Sequence, residues 1–172
     1  WARDAEDVFA FHIECEEPID HLTLRFQQMT PTSKNHGRIV MGASMARLQW
    51  ANFILYPEGF APEQITVSAL AILPNGWTAD GALAQIAQAG SEVTFAEVDL
   101  TRFVDSPILC GEHCARVQFA KGVRAAIFAD KAGQLPTVQE HIDVHARLVG
   151  EVDELFGGRP FDEYVFLLSL SN

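Results

Sequence analysis

The sequence predicts a mainly β chain: an antiparallel, β-sandwich-like domain over residues 1–133, followed by one long helix and one strand over residues 134–172. Three observations predict it. Apolar and polar residues alternate in short segments up to about residue 130, the period of strands with one wet face. At Pro136 the period changes to that of a helix. Beyond the helix, Tyr164-Val165-Phe166-Leu167-Leu168 is an uninterrupted apolar run between Glu163 and Ser169, which suits a strand covered on both faces.

Taken in order, residues 8–29 read as two strands around a turn at Glu16-Glu17-Pro18. Phe9, Phe11 and Ile13 alternate in the first, and Leu22, Leu24 and Phe26 in the second. Residues 30–37 form a polar loop, and residues 38–56 carry further strand material that closes at Pro57. Residues 65–73 are the next strand, turned by Pro74-Asn75-Gly76. Residues 78–89 fit a helix and a β segment equally, since their alanines, Leu83 and Ile86 favour a helix while the flanking strands favour a loop or short β segment. Residues 92–100 read as a strand through Val93, Phe95 and Val98. Residues 116–120 and 123–129 pair around Lys121-Gly122, and Asp130-Lys131-Ala132-Gly133 ends the strand-rich part.

The helix that follows has a start and a stop. Thr137 and Glu140 have the spacing of a capping box, in which each side chain satisfies one orphan amide of the first turn. Val138, Ile142, His145, Val149, Val152 and Phe156 then fall on one stripe, widened by Leu148 and Leu155. Gly157 and Gly158 suit the left-handed end of a helix, and Pro160 forbids its resumption.

Composition bounds the function. With 12 Lys and Arg against 23 Asp and Glu, the net charge is -11, and the acids are spread along the chain. Such a surface repels phosphate backbones, which argues against nucleic acid as a partner. No apolar run reaches the ~18 residues that a membrane-spanning helix needs. Cys15, Cys110 and Cys114 are too few for a disulfide scaffold. Trp1 is not a start residue and Asn172 follows the last strand directly, so the chain is expected to be a piece of a longer protein.

Several residues invite a functional reading, and each has a simpler one. His141 and His145 are four apart on a helix and can in principle share a metal, but His145 lies on the core stripe. Cys110-Gly111-Glu112-His113-Cys114 is the most metal-like cluster, yet it supplies three ligands where a closed zinc site needs four, so loop and strand is the simpler reading. Asp105-Ser106-Pro107 suits a turn, with contacts to a substrate as the alternative. Trp50, Tyr56 and Trp77 serve either as buried aromatics or as an exposed row for peptide or sugar. No residue is assigned a catalytic, cofactor-binding or metal role.

Four short motifs, in order, carry a resemblance: Trp50 with Leu55-Tyr56-Pro57-Glu58-Gly59; Leu73-Pro74-Asn75-Gly76-Trp77; Val104-Asp105-Ser106-Pro107-Ile108 with Gly111; and His145 to Val149 with Leu155-Phe156-Gly157-Gly158-Arg159-Pro160-Phe161, Tyr164 and Phe166-Leu167-Leu168. Over roughly residues 8–172 the chain resembles the amino-terminal β domain and the start of the α/β catalytic domain of the glycyl aminopeptidase family of zinc metallopeptidases. The resemblance implies a parent that hydrolyses peptides from the amino terminus, commonly carries a PDZ domain, and is in many relatives an exported bacterial protein. It also implies two partners: the rest of the parent catalytic domain, and the parent's peptide substrates. The family's zinc is held by a His-Glu-x-x-His helix, whose Glu activates the water. This chain has no such sequence, so it is expected to scaffold the catalytic domain and to be inactive alone. The alternative is a non-catalytic β-sandwich module that binds peptide or carbohydrate.

Overall fold

The computed structural model of the chain describes residues 2–25, 27, 41–136 and 139–171. Phe26, the polar loop at 30–37, Val138 and the pairing of Thr137 with the Glu140 side chain lie outside the described residues. In chain order the elements are β1 (Ala2–Arg3), β2 (Phe11–His12), β3 (Met45–Leu48), β4 (Thr66–Val67), β5 (Leu70–Ile72), β6 (Thr78–Gly81), β7 (Gln85–Ala89), β8 (Glu92–Phe95) and β9 (Val98–Asp99). They continue as α1 (Leu100–Val104), β10 (Ile108–Gly111), β11 (His113–Ala120), β12 (Val123–Ala129), α2 (Gln139–Phe156) and β13 (Tyr164–Leu170). The architecture is mainly β and sandwich-like, and no described helix is long and apolar enough to cross a membrane.

The centre is the antiparallel sheet β3-β10-β6, which is covered on both sides. Because side chains alternate across a strand, it divides its residues between two cores. Ala46, Ala79, Ile108 and Cys110 pack with Val93 and Phe95 of β8 and with Leu100 and Phe103 of α1. Met45 and Leu109 point the other way, into a smaller core with Ala126 and Phe128 of β12. The first core is closed by the sheet β5-β8-β7 and by Trp50, whose ring stacks on Phe103 at 4.7 Å and whose Nε1 donates to the Ser106 carbonyl at 2.8 Å.

The second core is closed by β11-β12-β13. β11 and β12 form the antiparallel hairpin expected around Lys121-Gly122, and β13 adds to β12 in parallel, from Val123 opposite Tyr164 to Ala129 opposite Leu170. The α2 helix makes the crossover, since parallel strands cannot be joined by a tight turn. Residues 133 and 134, where the sequence suggests a boundary, lie in the connection between β12 and α2, so one sheet has strands on both sides of that point. Gly122 takes φ +74°, and a Cβ there would meet the Asp162 carbonyl oxygen at 2.2 Å. The close approach lets Tyr164 N donate to Gly122 O at 2.7 Å and starts the β13 register.

Several sequence expectations are corrected. Residues 8–25 do not form two long strands: Phe11–His12 pairs only with Ala2–Arg3, and Phe9, Ile13, Leu22 and Leu24 are exposed. Residues 65–73 divide into β4 and β5, which pair with different strands. Residues 78–89, which fit a helix and a β segment equally, take the second alternative as β6 and β7. Ala79 has no solvent exposure where three strands meet, and that pairing outweighs alanine's helical preference. Residues 92–100 end in α1, started by the Asp99 carboxylate accepting from Arg102 N at 2.9 Å. Finally, β13 is covered on one face: Val165 and Leu167 pack on the second core, while Tyr164, Phe166 and Leu168 remain exposed.

Candidate functional site

Among the described residues, a buried carboxylate faces two arginines where the central sheet meets the outer one. Asp80, at the end of β6, is 4% exposed, and its two carboxylate oxygens face two arginines of the β11–β12 hairpin. Arg116 Nε donates to Oδ2 at 2.5 Å and Arg124 Nη1 to Oδ1 at 2.6 Å. The same guanidiniums hold the β6 backbone, Arg116 Nη2 at Ala79 O and Arg124 Nη2 at Gly81 O, both at 3.1 Å. Such charge-assisted pairs fix geometry as well as charge. Arg116 and Arg124 share a face because Gln118, two residues from Arg116, stands directly opposite Arg124 in the register. Above the cluster is an open cleft of about 490 Å³, with Gln85, Gln118 and Glu163 on its walls.

The cysteine and histidine candidates do not converge. Cys110 is buried in β10, its Sγ donates to Ala46 O at 3.4 Å, and burial pushes its thiol up to about 11. Cys114 lies on β11 beside the arginine cluster, and burial raises its thiol too, with Arg116 opposing. His113 and Cys114 are successive strand residues and so point to opposite faces. Cys110, His113 and Cys114 therefore do not turn toward one common point. His145 stacks on Phe119 at 5.3 Å between ring centroids; the His141 side chain lies outside the described residues.

Trp50 and Trp77 pack against the first core, whereas Tyr56 is exposed, so the three aromatics form no common row. Asp105 closes the carboxyl end of α1 with its backbone N–H, and Ser106 is buried with its carbonyl accepting from Trp50 Nε1.

A second feature is a groove of about 720 Å³ between α2 and β13, lined by Leu148, Val149, Val152, Phe156, Phe161 and Tyr164. Only part of the predicted helix stripe is covered. Ile142 and Val149 are half-buried, but Leu148, Val152, Leu155 and Phe156 are exposed. Arg159 pairs with Asp153, its Nε donating to Oδ1 at 2.6 Å, and also donates to Lys121 O, which pins the helix end to the hairpin turn.

Sequence reasoning missed the Asp80 cluster. The hairpin alone places Arg116 and Arg124 on one face, which was the available signal. Asp80 lay in the segment that fitted helix and strand equally, so nothing brought it to them.

Comparison with known proteins adds two findings. The model of the Peptidase M61 N-terminal domain matches residues 1–112. No curated protein matches the chain.

Proposed function

Because the chain belongs to the M61 peptidase family, carrying that family's amino-terminal domain, we propose that it is the non-catalytic amino-terminal portion of a zinc-dependent aminopeptidase of the glycyl aminopeptidase type. Its role is to scaffold the catalytic domain of that enzyme. In this reading the two parts divide before β11 rather than at residues 133 and 134, since the family match ends at residue 112 and the hairpin that follows shares a sheet with β13.

The observation that supports the role is the groove between α2 and β13. Immediately after the amino-terminal domain comes a mixed sheet whose outer face keeps Tyr164, Phe166, Leu168 and half of a helix uncovered. Contiguous apolar surface of this kind marks a contact with other protein. A free-standing binding module explains the β domain but gives that sheet no purpose, and Trp50 and Trp77 are packed rather than displayed.

The test compares the 172-residue chain with its parent. The chain should not hydrolyse aminoacyl peptides with zinc added, whereas the parent should, and should lose the activity to a chelator. A parent with no His-Glu-x-x-His helix would reverse the reading.

A further inference from the structure

We propose that the cleft above Asp80 binds the carboxylate end of a short peptide. The inference stands apart from the peptidase reading, because it rests on the hydrogen bonding, charge and size of the cleft. Each guanidinium carries five N–H donors. Arg116 and Arg124 each use one on Asp80 and one on a β6 carbonyl. Asp80 is buried and its two oxygens are engaged, so it holds both planar groups in place. Arg116 is 51% exposed and Arg124 32% exposed, so unused donors reach the cleft. Preoriented guanidinium forks are matched to a planar two-oxygen acceptor.

The other walls define the rest of the ligand. Gln85 uses its amide nitrogen on Ala79 O, and Gln118 uses its own on Ala120 O and Val123 O. Each therefore offers a carbonyl oxygen as an acceptor for the N–H groups of a peptide, while Glu163 sets a negative charge on the wall. Charge selects further. Two arginines against Asp80 and Glu163 make the cleft neutral, in a chain of net charge -11. A singly charged carboxylate adds one negative charge, but a dianionic phosphate adds two beside two carboxylates. A cleft of about 490 Å³ lies within the range of small-ligand sites.

The test titrates three probes into the 172-residue chain: N-acetyl-alanyl-alanine with a free carboxylate, its carboxamide, and inorganic phosphate. Binding is followed by calorimetry and by the side-chain amide signals of Gln85 and Gln118. The free acid should bind, the carboxamide roughly tenfold or more weakly for want of a charge-assisted bond, and phosphate at least as weakly because its second charge meets Asp80 and Glu163. Arg116→Gln should weaken the acid by a similar factor while Arg124 keeps Asp80 paired. Glu163→Gln, an exposed substitution that leaves the fold alone, should tighten it severalfold by removing a like charge. Equal binding of acid and carboxamide, tighter binding of phosphate, no binding of the acid, or no gain from Glu163→Gln would each overturn the proposal. The cluster would then be a clip between sheets and nothing more.

Discussion

The two sides of the central sheet differ in how they are finished. On one side, Trp50, Phe95 and Phe103 interlock in a core that β5-β8-β7 and α1 close. On the other, β11-β12-β13 covers Met45 and Leu109 with one face but turns Tyr164, Phe166 and Leu168 outward under a helix that covers only part of them. The family match covers the first of these regions and stops at the residue before β11. The difference teaches that apolar content alone does not locate a core. The apolar run at 164–168 turns only Val165 and Leu167 toward a core, whereas the equally uninterrupted run at 125–129 is buried throughout.

The contrast can be broken most directly by truncating one residue on each side. Phe95→Ala removes a ring that is 1% exposed and should cost about 3–5 kcal/mol, the usual range for emptying an aromatic site in a core. Leu148→Ala, on the exposed part of α2, should cost less than about 1 kcal/mol. Urea denaturation of both variants measures the pair. Equal losses would mean that the α2 face is covered in solution.

The ion-pair cluster joins the two regions, so Asp80→Ala tests whether they fold as one. A fully buried pair loses about 3–5 kcal/mol when one partner is removed. Here both guanidiniums retain water, and screening reduces the expected loss to roughly 1–3 kcal/mol. The Ala variant should also expose the hairpin amides of β11 to faster hydrogen exchange. Loss of β11–β12 protection without change in β8 would show two units, and a uniform loss would show one.

Next in size is Gly122→Ala. The left-handed φ and the contact with Asp162 O together should cost about 1–3 kcal/mol, concentrated at the β12–β13 junction. Thermal unfolding reads it. An unchanged midpoint would mean that β13 does not depend on this junction.

What the sequence made legible follows the range of the interactions involved. The β11–β12 hairpin and the end of α2 were readable because Gly122, Gly157 and Gly158 state their turns locally, and all three take positive φ. The burial of α2 was over-read, since a periodic stripe gives a face but not how much of it is covered. Residues 78–89 were ambiguous because alanine's helical preference competes with strand partners distant in sequence. The Asp80 cluster was invisible for the same reason: its bonds span 36 and 44 residues. The short α1 was missed because its signal is one N-cap, Asp99, in a segment whose alternation pointed to strand.

The smallest expected effect sharpens the comparison from within the matched region, because residues 2–25 are not part of its closed core. There Asp4 accepts from the amides of Asp7 and Glu6, both at 2.8 Å, and its other oxygen meets His12 Nε2 at 2.6 Å. These contacts, led by the Asp7 amide and followed by His12, favour the carboxylate and hold its pKa near 2 instead of the ordinary 3.8. A depressed pKa stabilises the folded form only where the group is ionised. The contribution is therefore complete above pH 3.8 and disappears as the pH falls through about 2. Because Asp4 is on the surface, the change should be local: fraying of the β1–β2 pair, with the Phe95 core intact. Following the Asp4 carboxyl carbon by NMR from pH 6 downward should give a midpoint near 2, with the amides of Glu6 and Asp7 moving in parallel. A midpoint at the ordinary value would mean that this hairpin is open in solution and that the ordered part of the matched domain begins after residue 25.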